Sequence, residues 1–184
     1  MPQSSNGPLI VWLALLVAGS VAFTLGFACA TPLAAFAAAA VLTLPRNQAL
    51  CLTGAVWLAS QIVGFAVLGY PWTADCVAWG VVLGVAALGG TVTARTLAVR
   101  FEPNRFIVRF AAFAAAFVVY EVVLFIAAAV ALSGIEDFTA AILLRILAIN
   151  AAAFVVLLVA DNIAARTGFL RESRLSLVLN SRGA

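Results

Sequence analysis

The sequence has no histidine, no lysine and a single methionine, and only 9% of its 184 residues are charged. Without histidine there is no Ser-His-Asp or Cys-His catalysis, no histidine-bound zinc and no histidine-ligated haem. A Gly-x-x-x-x-Gly-Lys-Ser/Thr nucleotide loop is also missing, so the chain is not expected to hydrolyse ATP itself. With no Asp-Asp-x-x-Asp motif either, an intramembrane enzyme has little to be built from, and the chain is expected not to be an enzyme. What fills the sequence instead is apolar: 66% of residues, with a mean hydropathy of +1.19. Soluble domains carry about 45–50% apolar and about 25% charged residues, and an apolar excess of this size facing water aggregates. A soluble enzyme, a nucleic-acid-binding domain and a disordered tail are thereby excluded. A membrane β-barrel needs polar–apolar alternation, which runs such as Phe110–Val119 lack. The expectation is an all-α integral membrane protein in contact with lipid.

Six apolar segments are drawn within one domain of 184 residues: Pro8–Cys29, Pro32–Leu44, Asn47–Leu68, Thr73–Val99, Arg105–Leu132 and Phe138–Ala165. The turn Gly69-Tyr70-Pro71 separates the third from the fourth. The second segment is short: its thirteen residues cover about 20 Å, against about 30 Å of hydrocarbon. It is either a short tilted span or a re-entrant piece shielded by its neighbours. The arginines favour six crossings. With a cytoplasmic N-terminus, Arg46, Arg95, Arg100, Arg105, Arg109, Arg166, Arg171, Arg174 and Arg182 all fall inside, whereas Asp75, Glu136 and Asp137 fall outside, as the positive-inside rule requires. Both termini are then cytoplasmic, in a multi-pass protein of a bacterial inner membrane. Met1–Pro8 lacks the basic residues of a cleaved signal peptide, so the first segment is expected to remain as a span.

A few residues depart from this background. Ala14, Ala18 and Ala22 share one face of the first helix; such a strip either packs internally or docks a partner. Trp72, Cys76, Gly80 and Gly84 form a second i, i+4 series, aromatic and thiol-bearing above and grooved below, ready for a ligand or a neighbouring helix. Tyr70, Trp72 and Trp79 lie where an aromatic belt is expected, and an aromatic rim also suits a large flat ligand. Gln61 reads as interhelical glue. If the last two helices form a hairpin, Glu121 lies at the depth of Asn150 with Arg145 about one turn shallower, which predicts a Glu121–Arg145 ion pair with Asn150 beside it. That pair either fixes packing or lets Arg145 meet a polar or anionic ligand. Cys29 and Cys76 fall at the outer face, within reach of a disulfide in an oxidising compartment, and Cys51 near the inner face. A thiolate also ligates late transition metals, and a cysteine is equally a small buried apolar residue.

Six helices with an inside N-terminus, a short second helix, the Ala14-Ala18-Ala22 strip and a polar-aromatic outer face resemble the substrate-binding S-components of energy-coupling-factor vitamin transporters. The resemblance implies that the alanine strip docks on a transmembrane coupling subunit, which works with ATPases. It places part of a ligand site at Gly69-Tyr70-Pro71-Trp72 and the start of helix four, including Trp79, and another part on the last helix at Arg145 and Asn150, with Glu121 beside them. Cys76 stands where the solitary cobalamin transporters of this family place a cobalt-binding cysteine, although those proteins' histidine contacts have no counterpart here. The function so implied is vitamin uptake, with cobalamin as the specific ligand and transported substrate, and with biotin, thiamine and riboflavin remaining open. No resident cofactor and no nucleic-acid partner are expected. The alternative is a non-catalytic structural or assembly subunit of a larger membrane complex.

Overall fold

The computed structural model describes residues 7–27, 31–100, 105–132 and 134–166. Among them are six α-helices and no strand: α1 (Gly7–Phe27), α2 (Leu33–Thr43), α3 (Arg46–Ala66), α4 (Ala74–Arg100), α5 (Arg105–Val130) and α6 (Ala140–Arg166), with a short 3-10 turn at Ile135–Asp137 before α6. Four of these, α3 to α6, are long and apolar enough to cross a membrane. Their outward faces are lined with Val, Ile, Leu and Phe, as lipid contact demands.

The helices surround α2. Every residue from Thr31 to Val41 is buried, and α2 packs on α3, α4, α5 and α6. Alanine makes this arrangement possible. Ala34, Ala35, Ala37, Ala38 and Ala40 point around the helix and are at most 1% exposed, so neighbouring backbones close in on all sides. Phe36 is the one bulky side chain near its middle, and it meets Phe23 of α1 edge-on at 6.3 Å. Prolines set both ends of α2: it starts just after Pro32, and Leu44, forced to an extended backbone (φ −127°, ψ 154°) by the following Pro45, stops it. Pro45 then opens α3 directly, so the connection is only two residues long.

An eleven-residue helix is about 16 Å long, so both its ends lie inside the apolar bundle, where free backbone groups are costly. At the first end the Ala35 amide donates to Asn150 Oδ1 of α6 at 3.1 Å, while the Asn150 amide group donates to Ile146 O at 3.0 Å. At the other end Arg95 of α4 donates through Nη1 to Val41 O (3.2 Å) and Leu44 O (3.4 Å). A cation at the carbonyl end also complements the helix dipole.

Successive helices run in opposite directions. Thr24, Leu33, Ser60 and Tyr70 meet around one recess, whereas Trp12, Thr43, Leu52, Leu157 and Asp161 meet around another. The first level, with the α3–α4 and α5–α6 turns, is the aromatic end; the second, with Arg46 and Arg95, is the arginine end. On α4, Gly84 lies under the Trp57 indole of α3 so closely that a Cβ there would sit 2.7 Å from the ring, and Trp57 Nε1 donates to Gly80 O at 2.8 Å. The grooved face of α4 is therefore occupied by α3.

Two substitutions test this frame by thermal unfolding in detergent. Asn150→Leu strands the Ala35 amide and is expected to cost about 1–3 kcal/mol, whereas Asn162→Leu, which loses only a bond to its own helix at an exposed site, should stay within about 0.5 kcal/mol. Ala38→Leu overfills the centre of the bundle and should cost about 1–3 kcal/mol, with Ala148→Leu, on an exposed face of α6, as the near-neutral reference.

Candidate functional site

A cavity of about 520 Å3 opens at the aromatic end between the end of α3, the α3–α4 turn, the first three turns of α4, the end of α5 and the α5–α6 turn. Two glycines with left-handed backbone shape these turns: Gly69 (φ 70°), where Tyr70 N–H returns to Gly64 O at 3.0 Å, and Gly134 (φ 101°), which lines the cavity itself. Thr73 starts α4, its hydroxyl accepting from the Cys76 amide at 3.3 Å, and this fixes Asp75 and Cys76 in the first turn.

The walls are mainly aromatic and aliphatic: Phe65, Tyr70, Trp79, Leu83, Leu124 and Phe138. Phe65 meets Tyr70 edge-on at 6.1 Å, and Phe138 meets Phe125 at 5.4 Å in the same manner. Three polar side chains interrupt the apolar lining: Gln61, Asp75 and Cys76. Its floor continues into a recess of about 30 Å3, which Gln61, Tyr70 and Leu83 line in common with the cavity and where Thr24, Thr31, Ser60 and Tyr120 add hydroxyls. Thr31 donates to Thr24 Oγ1 at 3.1 Å, and Gln61 Nε2 to Ser60 Oγ at 3.3 Å. The recess is the size of one water molecule and offers the several polar partners that a water needs. The site is thus a flat-walled apolar chamber with a thiol and a carboxylate at its mouth and a hydroxyl-rich seat beneath.

Of the residues singled out in the sequence, Tyr70, Cys76 and Trp79 come together on this cavity. Trp72 lies at the rim, 79% exposed, its ring 4.5 Å from that of Phe65. Glu121, Arg145 and Asn150 line neither the cavity nor the recess. The expected Glu121–Arg145 pair does not form: Arg145 is exposed on α6, and both carboxylate oxygens of Glu121 are enclosed without a hydrogen-bond partner. The reason is topological. A hairpin would set α5 directly beside α6, but α2 stands between them, leaving a narrow contact in which Phe113 stacks on Phe154 at 4.9 Å. Asn150, instead of joining Glu121, turns to the start of α2.

Ala14, Ala18 and Ala22 are exposed, so the strip on α1 is not buried by packing among the described residues. Cys51 is a free, exposed thiol, and Cys76 is also free. Cys29, and with it the Cys29–Cys76 pairing, lies outside the described residues. Among the described residues no three of His, Cys, Asp and Glu gather as a metal site.

The sequence reading did not pick out Phe65, Leu124, Gly134 and Phe138 as lining residues, and took Gln61 as packing glue. Phe138 and Gly134 carried a usable signal, an aromatic and a glycine flanking an outer turn. Phe65 and Leu124 carried none, being ordinary apolar residues within long apolar runs. No protein-family model matches this chain, and no curated protein or solved structure matches it either.

Proposed function

We propose that the chain is a non-catalytic, substrate-binding membrane subunit for the uptake of a vitamin-like small molecule. It would cross a bacterial inner membrane six times with both termini cytoplasmic. The observation that carries this reading is the cavity of about 520 Å3 at the aromatic end. Its volume falls within the usual range of small-molecule sites, and its make-up, apolar walls with few polar points, is theirs as well. The orientation follows from charge. Arg46, Arg95, Arg100, Arg105, Arg109 and Arg166 belong to the arginine end, and the positive-inside rule puts that end in the cytoplasm and the cavity outside.

Cobalamin is the specific ligand proposed. Cys76, on the cavity wall, would supply a soft sulfur ligand for its cobalt. The exposed Trp72, its ring lying over that of Phe65, offers one aromatic face on which a ring too large for the chamber can extend. The exposed Ala14-Ala18-Ala22 strip supports docking on a transmembrane coupling subunit with its ATPases, since a face of small residues lets a partner helix approach closely. The same strip favours the second reading, an assembly subunit of a larger complex that binds no ligand.

Native mass spectrometry of the detergent-solubilised protein against cobalamin, biotin, thiamine and riboflavin separates the two. The transport reading expects retention of one vitamin, weakened at least about tenfold by Trp79→Ala. For cobalamin it also expects a visible absorption change that Cys76→Ala abolishes. A folded protein that retains none of the four overturns it in favour of the assembly subunit. The orientation has its own test. A membrane-impermeant maleimide on intact cells should label Cys76 in a manner lost in Cys76→Ser; labelling of Cys76 only after permeabilisation would invert the topology.

A further inference from the structure

At the opposite end of α2 lies a second cavity, of about 440 Å3, between the end of α2, the start of α3 and the last turns of α4. Two guanidinium groups, Arg46 and Arg95, line it, and among the described residues no carboxylate does. Arg95 is anchored: Nη1 holds Val41 O and Leu44 O, which leaves the other donors of its five-donor fork to the cavity. Arg46 is exposed and, among the described residues, makes no hydrogen bond or ion pair. It is the first residue of α3, so the positive end of that helix dipole adds to the two cations. The remaining lining includes Leu50, Val92 and Val99. Val92 and Val99 are 44% and 59% exposed, and on the same face, two turns further toward the bundle's middle, Val85 is 57% exposed.

A paired-arginine pocket continuous with an outward apolar strip is amphiphilic in the same sense as a phospholipid. We propose that this groove binds the phosphate of an anionic phospholipid, with Arg46 and Arg95 on the phosphodiester and an acyl chain along Val92 and Val85. The guanidinium fork matches phosphate oxygens in a bidentate manner, which a lysine would not. Basic pockets between membrane helices hold lipid headgroups in this way. The proposal is independent of the ligand reading at the aromatic end.

The test uses the full chain, delipidated in neutral detergent, titrated with phosphatidylglycerol or phosphatidylcholine in mixed micelles and read by native mass spectrometry. Phosphatidylglycerol should be retained in preference to phosphatidylcholine. Arg46→Gln should weaken that retention about fivefold, the contribution of one arginine near an anionic headgroup. Because Arg46 is exposed and has no partner among the described residues, the unfolding temperature should not change. Arg109→Gln removes the same charge from an exposed position on α5, outside the groove, and should leave retention intact. Equal retention of the two lipids, or an equal loss with Arg109→Gln, overturns the proposal. Displacement of the lipid by inorganic phosphate or glycerol 3-phosphate at comparable concentration would also overturn it, by assigning the groove to a soluble anion.

Discussion

The hydrogen bonds at the two ends of α2 are the constraint on which the rest of the bundle depends. A helix of about 16 Å enclosed by apolar neighbours exposes unpaired amides at one end and unpaired carbonyls at the other. In such surroundings each unpaired group is costly. Asn150 on α6 takes an amide at the first end, and Arg95 on α4 takes two carbonyls at the second. Two otherwise expensive residues inside a membrane bundle therefore fix how α4 and α6 are placed along the axis of α2. The alanines of α2 set how closely the neighbours approach, and the two polar caps set their register along it.

Both cavities follow from the same mismatch of lengths. α4 and α6 each have 27 residues, about 40 Å of helix, whereas α2 has eleven. Beyond each end of α2 the longer helices continue. Beyond the start of α2 the space becomes the aromatic chamber and its hydroxyl-lined recess; beyond its end the space becomes the arginine groove. Leu33 borders the recess on one side and Val41 the groove on the other, so the two ends of one short helix form the floors of the two spaces.

Much of the frame was legible in the sequence because its signals are local. Long apolar runs mark helices, Pro45 ends α2 and opens α3, and Gly69 bends the turn after α3. The aromatic end was legible for a similar reason: Tyr70, Cys76 and Trp79 lie within ten residues across a single turn, so one short stretch of chain brings them together. Sequence reasoning failed where helices distant in the chain are ordered around one another. Depth along two neighbouring helices can be counted, and the count placed Glu121 opposite Asn150. Whether those helices touch depends on what lies between them, and nothing in the residues of α5 or α6 announces that α2 separates them. Phe65 and Leu124 are hidden for the same reason, since their apolar side chains are the same whether they face lipid, a neighbouring helix or a cavity.

The polar residues of the bundle then divide by whether the fold has already used them. Asn150, 1% exposed, is bonded to Ala35 and Ile146 and lines neither cavity, whereas Thr91, bonded to Ala87 O and Thr53, lines the groove beside Arg95. Arg95 is half committed, held by α2 and facing the groove. Arg46 has no partner among the described residues, and Asp75 and Cys76 line an open chamber. A bundle this poor in charge, at 9% of its residues, has few groups with which to recognise anything. Among the groups that line a cavity, those left unbonded lie beyond the two ends of α2, a thiol and a carboxylate on one side and the Arg46 guanidinium on the other, and the proposed binding at either end rests on them.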